Sequence, residues 1–160
     1  MLNEIEGDLH GKGLKIAIVG SLFNDFVTRS LLAGAQEGLE QNGVEEEAIT
    51  LVWVPGSFEI ALIAKTLAQT GRYDAVVCLG SVIRGETTHY DHVAEETATS
   101  ISRTSLETNV PIIFGVLTTE NREQALSRAG GKIGNKGYDS ALAAIRMARL
   151  MRTLKESHSE

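Results

Sequence analysis

The 160-residue chain has one cysteine, two prolines and few aromatic side chains, and these shortages narrow the classes of protein to which it could belong. With Cys78 alone, no disulfide can form within the chain, which excludes a small disulfide-stabilised fold. No apolar run approaches the ~18 residues that a membrane-spanning helix needs. Residues 1–12 are polar and acidic, unlike a signal peptide, so we expect a cytosolic protein without a membrane partner.

Basic residues are fewer than acidic residues, which gives the chain a formal net charge of −6. Nucleic-acid binding surfaces are basic, so this balance gives little support to a nucleic-acid partner. Eight of the fifteen Lys and Arg residues lie between residues 122 and 155, and we interpret most of them as solvated surface. Arg128, Lys132 and Lys136 differ because they flank glycines. Cys78 lies in an apolar run, which favours a buried, unreactive thiol over a nucleophile.

Four apolar runs rich in Val, Ile and Leu alternate with longer segments of helical periodicity. Such runs are typical of parallel strands covered on both faces. We therefore predict an α/β fold with a four-stranded parallel sheet and helices on both faces, in a single domain over residues 1–160 whose first twelve residues are extended. The predicted strands are Leu14–Val19, Ile49–Val54, Ala75–Leu79 and Ile112–Leu117. The predicted helices are Phe26–Gln41, Ser57–Thr70, Tyr90–Asn109, a helix starting at Asn121, and Tyr138–Lys155.

Ligands of open parallel sheets bind at the carboxyl ends of the strands, which directs attention to the loops that follow them. After the first strand, Phe23 either stacks on a flat ligand or packs inward beside the next helix. After the second strand, Ser57 would cap the following helix. Glu59, in the first turn, either interacts with the helix dipole or accepts hydrogen bonds from ligand hydroxyls.

The loop after the third strand carries the strongest chemical signal. Residues 79–91 read Leu-Gly-Ser-Val-Ile-Arg-Gly-Glu-Thr-Thr-His-Tyr-Asp, with a glycine turn, a helix start and a histidine. This order indicates an anion site beside a proton carrier. His89 and His92 could share a helix face, but no third metal ligand is suitably placed, so proton transfer by His89 is favoured over a metal site.

The loop after the fourth strand leads into residues 128–137, where glycines surround Arg128, Lys132 and Lys136. Such a segment also suits an oxyanion or a phosphate. The chain contains neither of the two common glycine-rich nucleotide motifs, so the segment alone is a weak signal.

Five of these segments, taken in chain order, resemble the lumazine synthase family, the 6,7-dimethyl-8-ribityllumazine synthases of riboflavin biosynthesis. The resemblance implies a three-layer, flavodoxin-like fold. It also implies a transferase that condenses 5-amino-6-(D-ribitylamino)uracil with 3,4-dihydroxy-2-butanone 4-phosphate, without a metal or an organic cofactor. The matching segments are Phe23-Asn24 and residues 54–59, 80–91, 114–121 and 128–137.

The resemblance also assigns roles to individual residues. His89 would transfer protons. The pyrimidine ring of the ribitylaminouracil would stack on Phe23. Its ribityl chain would contact Ser57, Phe58 and Glu59. Its uracil edge would contact the backbone of Ser81, Val82 and Ile83. The butanone phosphate would contact backbone groups of Glu86 and Thr87. A neighbouring subunit would supply Phe114 and Arg128, with Arg128 on the phosphate and Lys136 close by.

Two positions depart from the family pattern. Glu86 places a carboxylate beside the expected phosphate where a small residue is common, and we predict that its side chain points away. His92 stands where an aromatic residue is common, and we favour a structural role for it.

The family resemblance further implies a pentamer. Because residues 130–137 carry no insertion, we predict an icosahedral shell of 60 subunits, with riboflavin synthase as a further partner to be tested. The segment Leu2–Leu9 could pair with a neighbour's sheet edge. Two alternatives stay open: a shell or scaffold protein whose catalysis has decayed, and a flavin-binding module of the same fold.

Overall fold

A computed structural model describes residues 1–158 and contains a four-stranded sheet, a two-stranded hairpin and five α-helices in that range. Short 3-10 turns at Glu46–Ala48 and Ser57–Glu59 precede strand β2 and helix α2. The strands are β1 (Ile16–Ser21), β2 (Ile49–Val54), β3 (Ala75–Ile83), β4 (Ile112–Thr119), β5 (Ala129–Gly131) and β6 (Gly134–Asn135). The helices are α1 (Asp25–Gln41), α2 (Ile60–Gln69), α3 (His89–Thr108), α4 (Arg122–Ser127) and α5 (Lys136–His158).

The main sheet is parallel throughout, with strand order β2-β1-β3-β4. The chain passes from β1 outward to β2, and then returns to place β3 on the other side of β1. The carboxyl ends of β1 and β3 therefore diverge into loops that run in opposite directions, and parallel sheets bind ligands at such a switch point. The topology thus predicts where a site should lie before any side chain is considered.

Two apolar cores, one on each face of the sheet, produce a three-layer molecule. On one face, Ile18, Val77 and Leu79 pack with Leu31 of α1 and Ile145 of α5. On the other face, Val19, Cys78 and Val116 pack with Ile60 of α2 and Ile101 of α3. Every residue of β1 is buried, as expected for a central strand covered by helices on both sides. The predicted four-stranded α/β fold is confirmed.

Helix α5 packs closely on α1 because glycines line the contact. A Cβ atom on Gly137 would overlap the carbonyl oxygen of Leu31, and one on Gly34 would overlap the side chain of Asn135. Asn135 also begins the helix, since its Oδ1 accepts hydrogen bonds from the backbone N–H groups of Gly137 and Tyr138 at 2.8 and 3.1 Å. The contact therefore depends on close backbone approach as well as on apolar area.

Some details differ from the sequence-based predictions. Ser57 does not cap α2: it lies inside the 3-10 turn that precedes the helix, and its side chain makes no capping hydrogen bond. Asn121 does cap α4, because its side chain accepts from the backbone N–H of Gln124 at 2.8 Å. Strand β3 extends four residues beyond the predicted end, since Gly80–Ile83 continue to pair with β4.

The N-terminal segment lies along α5 of its own chain. The carbonyl oxygen of Gly7 accepts a hydrogen bond from Arg146 at 3.0 Å, and Arg149 donates to the carbonyl oxygens of His10 and Lys12. Pairing of Leu2–Leu9 with a neighbouring sheet stays a prediction. Within residues 1–158, no helix is both long and apolar enough to cross a bilayer.

Candidate active site

A cleft of about 790 Å³ opens at the carboxyl ends of β1, β2 and β3, where the strand order reverses. A volume of this size suits a small organic ligand. Its walls come from three separate parts of the sequence, at residues 23–24, 55–59 and 81–93. The predicted site residues that line it are Phe23, Ser57, Phe58, Glu59, Ser81, Val82, Ile83, Thr87 and His89.

Hydrogen bonds between the strand ends hold these loops together. The backbone N–H groups of Leu22 and Phe23 donate to Val54 and Pro55 at 2.8 and 3.0 Å, which extends the pairing of β1 and β2 into the loops. The Asn24 side chain donates to the carbonyl oxygen of Ser81 at 2.9 Å and joins the first loop to β3. The position of Phe23 is therefore fixed by both neighbouring strands.

The two phenylalanines of the cleft face solvent. Phe23 is 71% exposed and Phe58 is 61% exposed, although both are large apolar side chains. An inward-packing role for Phe23 is thus wrong for this chain. Exposed aromatic rings beside a cleft are suited to stacking on a planar ligand or to contact with another subunit.

Small side chains form the floor of the cleft. A Cβ atom added to Gly80 would lie 2.8 Å from the hydroxyl oxygens of both Ser21 and Ser57, so only glycine allows these strand ends to approach. Ser57 and Ser81 are buried, and the Ser81 hydroxyl has no hydrogen-bond partner within the described part of the chain. The floor is therefore narrow and polar, while much of the wall is apolar.

Helix α3 begins at His89, directly at the cleft. The backbone N–H of His89 donates to the Thr87 hydroxyl at 3.3 Å, and Thr88 takes the N-cap position without a side-chain cap. The backbone N–H of Asp91 donates to the carbonyl oxygen of Thr88 at 3.1 Å, so within the first turn of this 20-residue helix the N–H of Tyr90 has no partner among the described residues and is available for an anion. The imidazole of His89 belongs to the same turn.

The two departures from the family pattern occupy different places. Glu86 is exposed and does not line the cleft, whereas its neighbours Gly85 and Thr87 do. His92 does line the cleft, one helical turn after His89. Within residues 1–158, no three His, Cys, Asp or Glu side chains are grouped so that they could hold a metal ion.

Besides Glu86, three predicted site residues lie outside this cleft. Phe114 lies on the edge strand β4 and is 36% exposed, and Arg128 and Lys136 flank the β5–β6 hairpin. The guanidinium of Arg128 donates to the Gln124 carbonyl oxygen at 3.2 Å. No Lys or Arg of the described residues lines the cleft. This chain thus presents a helix N-terminus at the cleft, but no cationic side chain of the described residues lines it.

The sequence analysis did not identify Asn24, Tyr90 and Val93 as cleft residues. Asn24 has a left-handed backbone, with φ 60°, a conformation for which asparagine is enriched. An asparagine between an aromatic loop residue and a helix start is a signal that could have been used. Tyr90 and Val93 lie in the first two turns of α3, and the predicted helix Tyr90–Asn109 did not indicate which of its faces lines the cleft.

A parallel sheet of order 2-1-3-4, with a ligand-sized cleft at its switch point, defines an α/β protein of the flavodoxin-like class whose strand ends are shaped to accept a small molecule. Residues 13–152 of the 160 match the family model described as 6,7-dimethyl-8-ribityllumazine synthase. The chain therefore belongs to the lumazine synthase family, whose members are transferases of riboflavin biosynthesis.

Proposed function

We propose that this protein condenses 5-amino-6-(D-ribitylamino)uracil with 3,4-dihydroxy-2-butanone 4-phosphate to give 6,7-dimethyl-8-ribityllumazine, phosphate and two waters. The observation that carries the proposal is the family match over residues 13–152, together with a cleft lined by nine of the predicted site residues. Intact Phe23, Glu59 and His89 in one cleft also argue against a scaffold that has lost catalysis.

The pyrimidine is assigned to the part of the cleft formed by the ends of β1, β2 and β3. Phe23 would stack on the ring, and the carboxylate of Glu59 would accept hydrogen bonds from the ribityl hydroxyls. Ser81, Val82 and Ile83 would offer backbone groups to the uracil edge. The exposure of both phenylalanine rings supports this assignment, because a stacked ligand would cover apolar surface that water now contacts.

The butanone phosphate is assigned to the start of α3. Backbone N–H groups of Glu86 and Thr87 and the helix dipole would hold its phosphate. Since no cationic side chain of the described residues lines the cleft, Arg128 of a neighbouring subunit would supply the positive charge, with Lys136 nearby. Phe114 of that neighbour would close the pyrimidine side.

The reaction then requires several proton transfers. The uracil's 5-amino group attacks the ketone, and loss of water gives an imine. Loss of a proton from C3 and of phosphate from C4 gives an enol, which tautomerises to a ketone at C3. Attack of the ribitylamino nitrogen on this new carbonyl closes the ring with loss of another water. His89 would carry protons between these positions, while alignment of the two substrates would supply much of the rate.

The proposal includes a pentamer and a shell of 60 subunits. Large apolar side chains that no intrachain contact covers support an oligomer, notably Leu62 of α2 and Leu106 of α3, which are 69% and 84% exposed. With a chain mass of 17.2 kDa, light scattering should find a particle of about 1 MDa for the shell and about 86 kDa for a pentamer.

The direct test is the appearance of lumazine absorbance when both substrates are mixed with the protein. We expect His89→Ala to lower turnover by about 10²-fold without abolishing it, because positioning remains. His10→Ala, which changes a histidine in the N-terminal segment, is the matched control and should keep the full rate. Absence of product from the intact protein at any substrate concentration would refute the proposed function.

A further inference from the structure

The side chain of Arg84, the residue after strand β3, contacts groups from two other segments. Its Nε lies 2.8 Å from Oε2 of Glu120, in the loop after β4, and its Nη2 lies 3.4 Å from Oδ1 of Asp91, in the first turn of α3. The guanidinium carbon lies 4.5 Å from the ring centroid of Tyr90. The backbone N–H of Arg84 also donates to the carbonyl oxygen of Thr119 at 2.9 Å.

These contacts form a small network around one guanidinium. Each ion pair alone would contribute little, because the side chains of Arg84, Asp91 and Glu120 are 40%, 56% and 59% exposed. A planar guanidinium can, however, bind two carboxylates through its edge while its face rests on an aromatic ring, which a lysine cannot do. Arg84 therefore fixes the direction of Tyr90 and Asp91 relative to β4.

The guanidinium of Arg84 keeps its positive charge within this network. Partial desolvation lowers the pKa of the Arg84 guanidinium, but the charges of Glu120 and Asp91 outweigh it and raise the pKa above its ordinary value. Arg84 thus remains a cation at every physiological pH. Because two carboxylates surround it, the network carries a net negative charge and is unsuited to binding phosphate directly.

The network lies at the two ends of the loop that carries the cleft residues Gly85, Thr87 and His89. Few side-chain hydrogen bonds hold the loop itself. Within residues 1–158, the only hydrogen bond recorded for a side chain of residues 85–89 joins Thr87 to the backbone of His89. Arg84 at one end and Tyr90 and Asp91 at the other therefore set the path of the loop between them.

We propose that Arg84 is a positioning residue for the condensation, which holds residues 85–89 and the ring of Tyr90 at the end of β4. In this way it sets where the butanone phosphate meets His89. The inference rests on the proposed function, because it assigns the phosphate to this loop. It predicts a selective defect, because the Arg84 side chain touches none of the groups assigned to the pyrimidine: these are the loops after β1 and β2 and the backbone of β3, which pairing with β4 holds in place.

The experiment compares Arg84→Met and Arg84→Lys with the unaltered protein, measuring kcat and the KM of each substrate. We expect Arg84→Met to raise the KM of the butanone phosphate about tenfold and to lower kcat about tenfold. The KM of the pyrimidine should stay within twofold. Arg84→Lys should recover part of both losses, since an ammonium keeps the charge but lacks the planar fork that holds two carboxylates while resting on the Tyr90 ring.

Lys65→Met is the matched control. Lys65 pairs with Glu107 at 2.8 Å with side-chain exposures of 41% and 45%, close to those of the Arg84 pairs, but near the far end of α3. This variant should keep both KM values and kcat. Particle mass is measured for every variant, so that a change in assembly is separated from a change in the loop.

Two results would overturn the inference. One is an Arg84→Met protein with unaltered kcat and KM values, and the other is an equal rise of both KM values with a smaller particle, which would indicate a purely structural role. Failure of the unaltered protein to make lumazine would refute the proposed function and this inference together. If the unaltered protein makes lumazine but substitution of Arg84 changes neither kcat nor either KM, the inference alone is refuted.

Discussion

At the scale of single residues, Glu86 is informative because its side chain leaves the cleft that its neighbours Gly85 and Thr87 line. It stands between two cleft residues, yet its carboxylate lies outside the cleft. We therefore expect Glu86→Ala to leave the KM of the butanone phosphate unchanged within about twofold. Steady-state kinetics would check this, and a several-fold lower KM would mean that the carboxylate repels the phosphate after all.

Cys78 is a second informative residue, because burial alone shifts the pKa of its thiol. The thiol is fully buried in β3, and desolvation raises its pKa to about 12. In the unfolded chain the thiol ionises at lower pH, so between about pH 9 and 12 the unfolded state binds fewer protons than the folded state. Stability therefore falls as pH rises, by up to ~1.4 kcal/mol per pH unit for this group.

Urea titrations at several pH values from 8 to 10.5, with Cys78→Ala as the comparison, would measure this effect. The variant keeps every other titrating group, so the difference between the two slopes belongs to the thiol. Parallel pH dependence in both proteins would contradict the expectation. The sequence indicated an inert thiol from its apolar neighbours, and the structure confirms its burial.

At the scale of elements, the sequence predicts the strands and helices well because their periodicity is local. The four strands and the long helices lie close to the predicted ranges, since apolar runs and capping residues mark them. The prediction failed at Ser57, which lies inside a 3-10 turn with its hydroxyl close to Gly80 of β3, a tertiary neighbour that local periodicity does not reveal. The contacts of Arg84 with Glu120 could not be predicted either, because they join segments 36 residues apart only after the sheet has formed.

The contact between α1 and α5 gives a prediction at this scale. Gly137→Ala should destabilise the protein by about 1–3 kcal/mol, because the added methyl group overlaps the Leu31 carbonyl and forces the helices apart. Thermal unfolding would show it as a lower melting temperature, at about 2–4 °C per kcal/mol for a chain of this size. Gly85→Ala is the matched control, since its Cβ meets no atom within 4 Å, and it should melt as the unaltered protein does.

At the scale of the whole molecule, the cleft of a single chain has aromatic and polar walls without a cationic side chain among the described residues, and the proposed oligomer would supply one from a neighbour. If the neighbour completes it, two inactive variants should restore each other. Phe23→Ala and Arg128→Met would each lose activity alone. In mixed pentamers assembled at equal ratio, about a quarter of the sites combine an intact Phe23 with an intact Arg128.

The measurement is lumazine formation after the two variants are unfolded, mixed and refolded together. Recovery of about a quarter of the unaltered activity is expected. Each variant refolded alone is the control and should stay inactive. Mixed particles of the correct mass without recovered activity would show that each site uses residues of one subunit only.

The assembly of the cleft from residues 23–24, 55–59 and 81–93 also has a thermodynamic consequence. These segments meet only when β1, β2 and β3 are paired, so a bound ligand has affinity for the complete sheet and none for a partly formed one. Ligand at a hundred times its dissociation constant should then add about 2.7 kcal/mol to the stability of the entire fold rather than to one loop. Amides in the buried core of β1, far from any ligand atom, should exchange their hydrogens more slowly in proportion.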